Sequence, residues 1–378
     1  MNLVDLPTYE GFKFRINRDK IMEISTEIEE FLISVPSLKK VKFKKEIPID
    51  IQSNNKIEGL DDDINEINRI IKRRPVYDMF KESKECLRVS NLYDAYNYIL
   101  KNKNINKENF RTLYKLISDG LISDYDLEHM GDYYREGPVC ITNKAYFDEE
   151  NEGLNYHKIE EYIDRLFKYI DSEKADNYTD YFTISQIIHF YIVYVHPYFD
   201  CNGRTSRTTA MWYLLNNKAN AFLNFNRTIP FEKGKYNRAI QSSRTTSDLT
   251  YFVKYMLEVE KRQLEKEYII NSIEKTRKDA LSDDEYLLLE YFLSNNQMES
   301  LISLTNMFNN INDHRSSVSD VESKLEPFLS EGILIQSGNT SKKISGGRYN
   351  PKYMINPNAI DIDPTKIKRL HLLNYVNK

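Results

Sequence analysis

The sequence predicts a mainly α protein with one small hairpin inside it and an α+β module at its C-terminal end. Three observations lead there. Apolar residues recur at helical spacing over most of the 378 residues. Strand-like texture is confined to short stretches at 139–142, 332–335 and 353–355. The most apolar run, 187–195, lies in a helical pattern that is apolar around most of its circumference, which marks a central buried helix.

The elements follow in order. Asp61, Asp62 and Asp63 form an N-terminal cap region ahead of Ile64, Ile67, Ile70 and Ile71, and Pro75 ends that helix soon after. Leu92, Ala95, Tyr96 and Ile99 mark a second helix, and Phe110, Leu113, Leu116 and Ile117 a third. Then the texture changes. Arg135-Glu136-Gly137-Pro138 is turn chemistry, Val139, Cys140, Ile141 and Thr142 are strand-like, and Asn143 suits the next turn, so a hairpin is expected over 134–142. Helices resume over 159–170 and 182–195, and Pro197 stops the second at His196. Further helices are expected over 204–215 and 236–259, and the charged stretch 258–278 reads as a helical bridge. Beyond it, 286–293, 301–308 and 318–329 read as short helices, and 332–335 and 353–355 as two strands flanking a polar loop, 337–348. Three helices and a two-stranded wing resemble a winged-helix module. The domains expected are 1–105, a helical region; 106–262, the core; and 280–358, the winged-helix-like unit.

Composition bounds the function. Hydrophobic residues at 40% supply a core, and charged residues at 29% a polar surface. A net charge of −4 and a pI near 6.0 give no global attraction to nucleic acid or anionic membrane. Cys86, Cys140 and Cys201 are widely separated and lack CxxC spacing, which argues against a disulfide framework or a structural zinc and suits a reducing cytosol. Residues 1–14 carry charge and proline without an apolar h-region, so no secretory signal is expected. The apolar run at 187–195 is too short to span a bilayer and contains His189. The expectation is a cytoplasmic protein without membrane contact.

The chemistry concentrates in His196-Pro197-Tyr198-Phe199-Asp200-Cys201-Asn202-Gly203-Arg204-Thr205-Ser206-Arg207. A histidine ends a buried helix, a short polar loop follows, and a new helix starts near Gly203. Backbone N–H groups at a helix start behind Asn202-Gly203 make an anion site suited to phosphate. Arg204 and Arg207 are three residues apart and share a helix face, where they can clamp two phosphates. Asp200 offers the oxygen that Mg²⁺ prefers when it also binds phosphate, and His196 can take a proton near neutral pH. Singly, each residue has a plain structural reading; together, behind a buried helix, they describe a phosphoryl- or nucleotidyl-transfer site.

That run resembles the signature of Fic-domain proteins, roughly H-x-F-x-D/E-G-N-G-R-x-x-R. It matches at His196, Asp200, Asn202, Gly203, Arg204 and Arg207, with Tyr198 where Phe is usual and Cys201 where Gly is usual. Tyr198 keeps an aromatic anchor. Cys201 costs energy if the backbone there needs positive φ. The resemblance implies a Fic-type helical core and transfer of AMP from ATP to a protein hydroxyl. In it His196 is the base and Asp200 holds Mg²⁺. The loop and helix start at Cys201, Asn202, Gly203, Thr205 and Ser206 hold the phosphates, with Arg204 and Arg207 on the β- and γ-phosphates. The segment at Val139, Cys140, Ile141 and Thr142 falls at the family's flap, which docks the target by strand-like pairing, and Tyr236 falls where an aromatic residue meets the adenine.

A second motif lies upstream. Fic proteins with an inhibitory N-terminal helix carry [S/T]-x-x-x-E-[G/N], which Glu58-Gly59 fits; the register puts Asn54, not Ser53, at the hydroxyl position. By this resemblance Glu58 pairs with Arg207 and holds the site off. The expected partner is a target protein on the flap, with self-modification and a homodimer both open. Three alternatives stand: removal of AMP by the same site, transfer of another group, or a DNA-binding regulator acting through the C-terminal module. For the last, helix 318–329 offers Lys324 against Asp320, Glu322 and Glu326, while the wing offers Lys342, Lys343, Arg348 and Lys352; nucleic acid is the weaker reading.

Overall fold

The computed structural model describes residues 2–40, 43–60, 62–77, 83–142, 150–277, 281–295, 299–311, 316–337, 351–363 and 366–367. The chain divides into two units, Met1–Leu60 with Asn65–Glu260, and Asp61–Ile64 with Lys261–Lys378.

The first unit opens with an antiparallel hairpin that the sequence did not announce, β1 (Asn2–Pro7) and β2 (Lys13–Ile16), in the register Leu3↔Arg15 and Val4↔Phe14. Val4, Leu6, Phe14 and Ile16 alternate inward, and Phe14 meets Phe190 and Tyr194 edge-on. Next, α1 (Asp19–Ser34) buries Ile21, Ile24, Ile28 and Phe31. The chain continues into α2 (Phe43–Ile57), fastened by the fully buried Arg227, which pairs with Asp50 at 3.2 Å and Glu46 at 2.7 Å. In α3 (Ile64–Tyr77), Ile64, Ile67 and Ile70 are buried as the spacing predicts, and the helix runs two residues past Pro75. Capped by Ser83, Asn106 and Ser123, α4 (Lys84–Lys101), α5 (Lys107–Ser118) and α6 (Asp124–Glu128) follow.

The hairpin differs from the one expected over 134–142. Its strands are β3 (Cys140–Thr142) and β4 (Glu150–Glu152), antiparallel with Cys140↔Glu152 and Ile141↔Asn151. Tyr134 and Arg135 lie in a buried turn ahead of it, and Asn143 falls outside the described residues. Glu150-Asn151-Glu152 carries no strand propensity, so its partnership with β3 is set by tertiary context.

The centre is α8 (Tyr178–Val195) packed on α9 (Asn202–Asn216), with α7 (Ile159–Ser172) and α1 beside α8 and α4 and α5 beside α9. Thirteen of the fourteen residues over 182–195 of α8 are buried, all but Val193, which matches the apolar circumference read from the sequence. The helix expected over 236–259 is two, α10 (Lys233–Thr246) and α11 (Thr250–Thr276). Ser247 breaks it at φ 54, and Asp248 Oδ1 accepts the Thr250 N–H at 3.0 Å, so a cap restarts the helix. The charged stretch of α11 is buried rather than solvated: Lys261 and Glu265 pair at 3.0 Å with side chains 4% and 0% exposed.

In the second unit, α12 (Asp283–Asn295), α13 (Leu301–Ile311) and α14 (Val318–Ser330) accompany three antiparallel strands, β5 (Glu299–Ser300), β6 (Leu334–Ser337) and β7 (Lys352–Ile355), in the order β5-β7-β6. That is one strand more than the sequence suggested. Leu289, Leu304, Phe308, Leu325 and Phe328 form its core. Lys324 is ion-paired with Asp284; Lys342, Lys343 and Arg348 lie outside the described residues. Among the described residues no helix is long and apolar enough to cross a membrane.

Candidate functional site

The junction of α8 and α9 builds the site. Before Pro197 the backbone of His196 cannot stay helical, and it turns left-handed at φ 53 while its N–H still bonds Ile192 O at 2.9 Å. The loop is closed by Asn202, whose Oδ1 accepts the Tyr198 N–H at 3.0 Å and whose Nδ2 donates to Tyr198 O at 2.8 Å. The Asn202 amide therefore shapes the loop. Tyr198, fully buried, stacks on Tyr114 with ring centroids 3.4 Å apart. Cys201 occupies the left-handed region at φ 64, the strain anticipated for a non-glycine residue there, and its N–H donates to Asp200 Oδ1 at 2.5 Å. A Cβ on Gly203 would collide with Glu58 Oε1, so glycine lets that carboxylate lie directly against the start of α9.

The two arginines have different fates. Arg207 is held from α2: Nη2 donates to Glu58 Oε1 at 2.5 Å and to Asn54 O at 3.4 Å, and Nε to Asn54 Oδ1 at 2.8 Å. Asn54, which stands at the hydroxyl position of the upstream motif, is thus the second arm of the clamp. Arg204, 6% exposed, gives Nη2 to Cys201 Sγ at 3.1 Å, while its Nε and Nη1 have no hydrogen-bond partner among the described residues. An orphaned buried guanidinium is costly unless an anion joins it.

A cavity of about 280 Å³ opens beside this junction. Of the residues singled out in the sequence, Glu58, Ile141, His196, Gly203, Arg207 and Tyr236 line it. Among the residues described there, Gly59, Val139, Cys140, Asp200, Cys201, Asn202, Arg204, Thr205 and Ser206 do not. Ser206 Oγ bonds back to Gly203 O at 2.8 Å, Thr205 is fully buried in the helix packing, and Asp200 is exposed on the loop. Gly59, at φ 86, ends the turn that presents Glu58. The sequence reading missed the opposite wall, a stripe of α10 formed by Lys233, Asn237, Ile240, Gln241 and Arg244. Their spacing of three and four was legible as one helix face, but nothing local marked that face as a cavity wall.

Electrostatics follow from this packing. Burial lowers the His196 imidazole to about 4, with the Arg244 and Arg135 guanidinium groups acting in the same direction and the Val193 carbonyl and Glu58 opposing. Its Nδ1 lies 3.3 Å from Val193 O, so that nitrogen carries the proton and Nε2 is left as the base. For Glu58, burial raises the carboxyl, but Arg207, then Arg204 and Lys233, outweigh it and hold it below the usual range. The Glu58 side chain is still 37% exposed, so solvent weakens the pair on one side. Tyr236 donates to His189 Nε2 at 2.8 Å, and burial keeps His189 neutral, well below its ordinary value. Burial pushes the Cys201 thiol up to about 12, so it remains protonated.

Chemically the junction offers a neutral imidazole, helix-start N–H groups, an arginine with two unsatisfied nitrogens and a sequestered arginine. Among the described residues no group of three or more His, Cys, Asp or Glu could hold a metal by itself. A single loop carboxylate, Asp200, with one oxygen already engaged, fits a Mg²⁺ that takes most of its ligands from phosphate and water.

Residues 106–214 match the Fic/DOC family model, and the chain carries a Fic domain. One solved structure that it resembles is a Fic family protein from Desulfovibrio desulfuricans G20, at TM-score 0.54 and 16% identity, covering 89% of this chain and 96% of that one. That likeness shows the mainly helical fold. No curated protein matches the chain.

Proposed function

With a Fic domain as the premise, we propose that the chain transfers AMP from ATP to a hydroxyl of a target protein, and that Glu58 holds this activity off. The observation that carries the proposal is the Glu58 carboxylate, seated against Gly203 and bound to Arg207 at 2.5 Å, where the anion site of a nucleotide would lie.

The orphaned Nε and Nη1 of Arg204 and the N–H groups at the start of α9 support triphosphate binding there. Asp200 would hold Mg²⁺, which neutralises phosphate charge when bound. His196 Nε2 accepts the proton of the target hydroxyl, whose oxygen forms a bond to the α-phosphorus. The bond from that phosphorus to the bridging oxygen breaks, and pyrophosphate leaves. A polyphosphate beside His196 adds negative charge and raises the imidazole from its low resting value, improving it as a base. The edge of β3 supports docking of an extended target segment, with Ile141 already on the cavity wall.

While Arg207 is paired with Glu58, the guanidinium is not available to the γ-phosphate. ATP can then bind only in a pose unsuited to in-line attack. Labelled ATP incubated with the protein and a cell extract tests transfer. Labelled protein product that disappears in His196→Ala is the expected result, and equal labelling by His196→Ala would contradict it.

A further inference from the structure

We propose that Arg135 is a positioning residue that staples the base of the β3–β4 hairpin to the backbone of His196, so that flap and base are set by one side chain. The proposal rests on His196 being the base described above.

Arg135 is 1% exposed, and its donors all go to main-chain carbonyls. Nε donates to His196 O at 2.9 Å, Nη2 to Leu154 O at 2.7 Å, and Nη1 to Gly137 O. Its own N–H donates to Pro197 O at 3.0 Å. Four bonds therefore join the segment entering β3, the segment leaving β4, and the two residues at the end of α8. Among the described residues Arg135 has no carboxylate partner, although burial lowers its guanidinium to about 10. A buried cation spent wholly on carbonyls is unusual for a connector, where an apolar residue costs less. Its planar fork gives what an apolar residue lacks, fixed angles between three backbone segments.

The surroundings agree. Gly153 N–H donates to Val139 O at 2.9 Å, one step beyond the β3–β4 ladder, and a Cβ on Gly153 would press on Val139 and Arg135. Gly137 lies against the Phe199 ring, so the hairpin base also rests on the loop after His196. The left-handed His196 has its carbonyl turned to Arg135, which favours a conformation that histidine otherwise adopts at a cost. The charged groups facing the imidazole are Arg135 itself, Arg244 from α10 and Glu58 past the end of α2.

Two readouts independent of any transfer activity test the staple in the full chain. One is amide exchange at Cys140–Thr142, Glu150–Glu152 and Gly153; the other is the His196 Cε1–H titration by NMR, identified by its loss in His196→Ala. In Arg135→Met, exchange at those amides speeds up by about tenfold or more, without matching acceleration in α8, and the His196 midpoint moves up. In Arg135→Lys, which keeps the charge and loses the fork, the amides also speed up while the His196 midpoint stays near the wild-type value. Wild-type flap exchange in either folded variant overturns the proposal. If Arg135→Met does not fold, Arg135→Lys decides alone. Labelled-ATP transfer in a Glu58→Gly background separates the two readings. Exchange that responds to Arg135 variants in a protein that transfers nothing leaves the staple standing and removes the transferase.

Discussion

Asn54, in the last turn of α2, accepts a hydrogen bond from Arg207 Nε at 2.8 Å with both side chains sequestered from solvent. The contact on Arg207 therefore has two arms of different kinds, a neutral buried amide at Asn54 and a partly open carboxylate at Glu58. The amide also donates to Tyr96 OH at 3.0 Å, which fixes which way its oxygen points.

Asn54→Ala should leave the Arg207 Nε–H unsatisfied in a dry environment, a loss of about 1–3 kcal/mol. Denaturant unfolding is expected to show a lower midpoint at unchanged slope. A midpoint equal to wild type would show that Arg207 finds another acceptor.

Acid should destabilise the protein in a defined window. His196 has a folded value of about 4, below the ordinary histidine value, and His189 is lowered too. The unfolded chain binds these protons first, so stability is complete above the unfolded value and is lost as pH falls from about 6.5 towards 4, by up to about 3 kcal/mol for His196. The thermal midpoint should drop across that range, and by less in His196→Ala. Parallel pH dependence in the two proteins would refute the assignment.

Cys201→Gly should relieve the left-handed strain at φ 64 and raise stability by about 1 kcal/mol. It also frees Arg204 Nη2 from the thiol. Calorimetric titration is expected to show ATP binding at least as tight as in wild type; a lower unfolding midpoint together with weaker binding would contradict this.

How much of this was legible depends on whether the chemistry was local. His196, Gly203 and Arg207 sit in one contiguous run whose order already encodes helix end, loop and helix start, and the structure brings them to one cavity with Glu58. The apolar circumference of α8 likewise announced its place at the centre. What escaped depends on distant partners. Glu150-Asn151-Glu152 becomes a strand by pairing with Cys140–Thr142, the 236–259 pattern continues unbroken in sequence across the cap at Asp248, and the Asn54 amide has meaning only beside Arg207. Arg135 looked like turn chemistry because its four acceptors are backbone groups, which no side-chain pattern records.

The central claim is that Glu58 restrains a competent site. The direct measurement is labelled-AMP incorporation by wild type and Glu58→Gly at equal concentration with Mg²⁺ and ATP. Freed of the carboxylate, Arg207 becomes available to the nucleotide, and incorporation should rise by on the order of tenfold or more, the equivalent of about 1.4 kcal/mol. Equal incorporation by the two proteins would contradict the account.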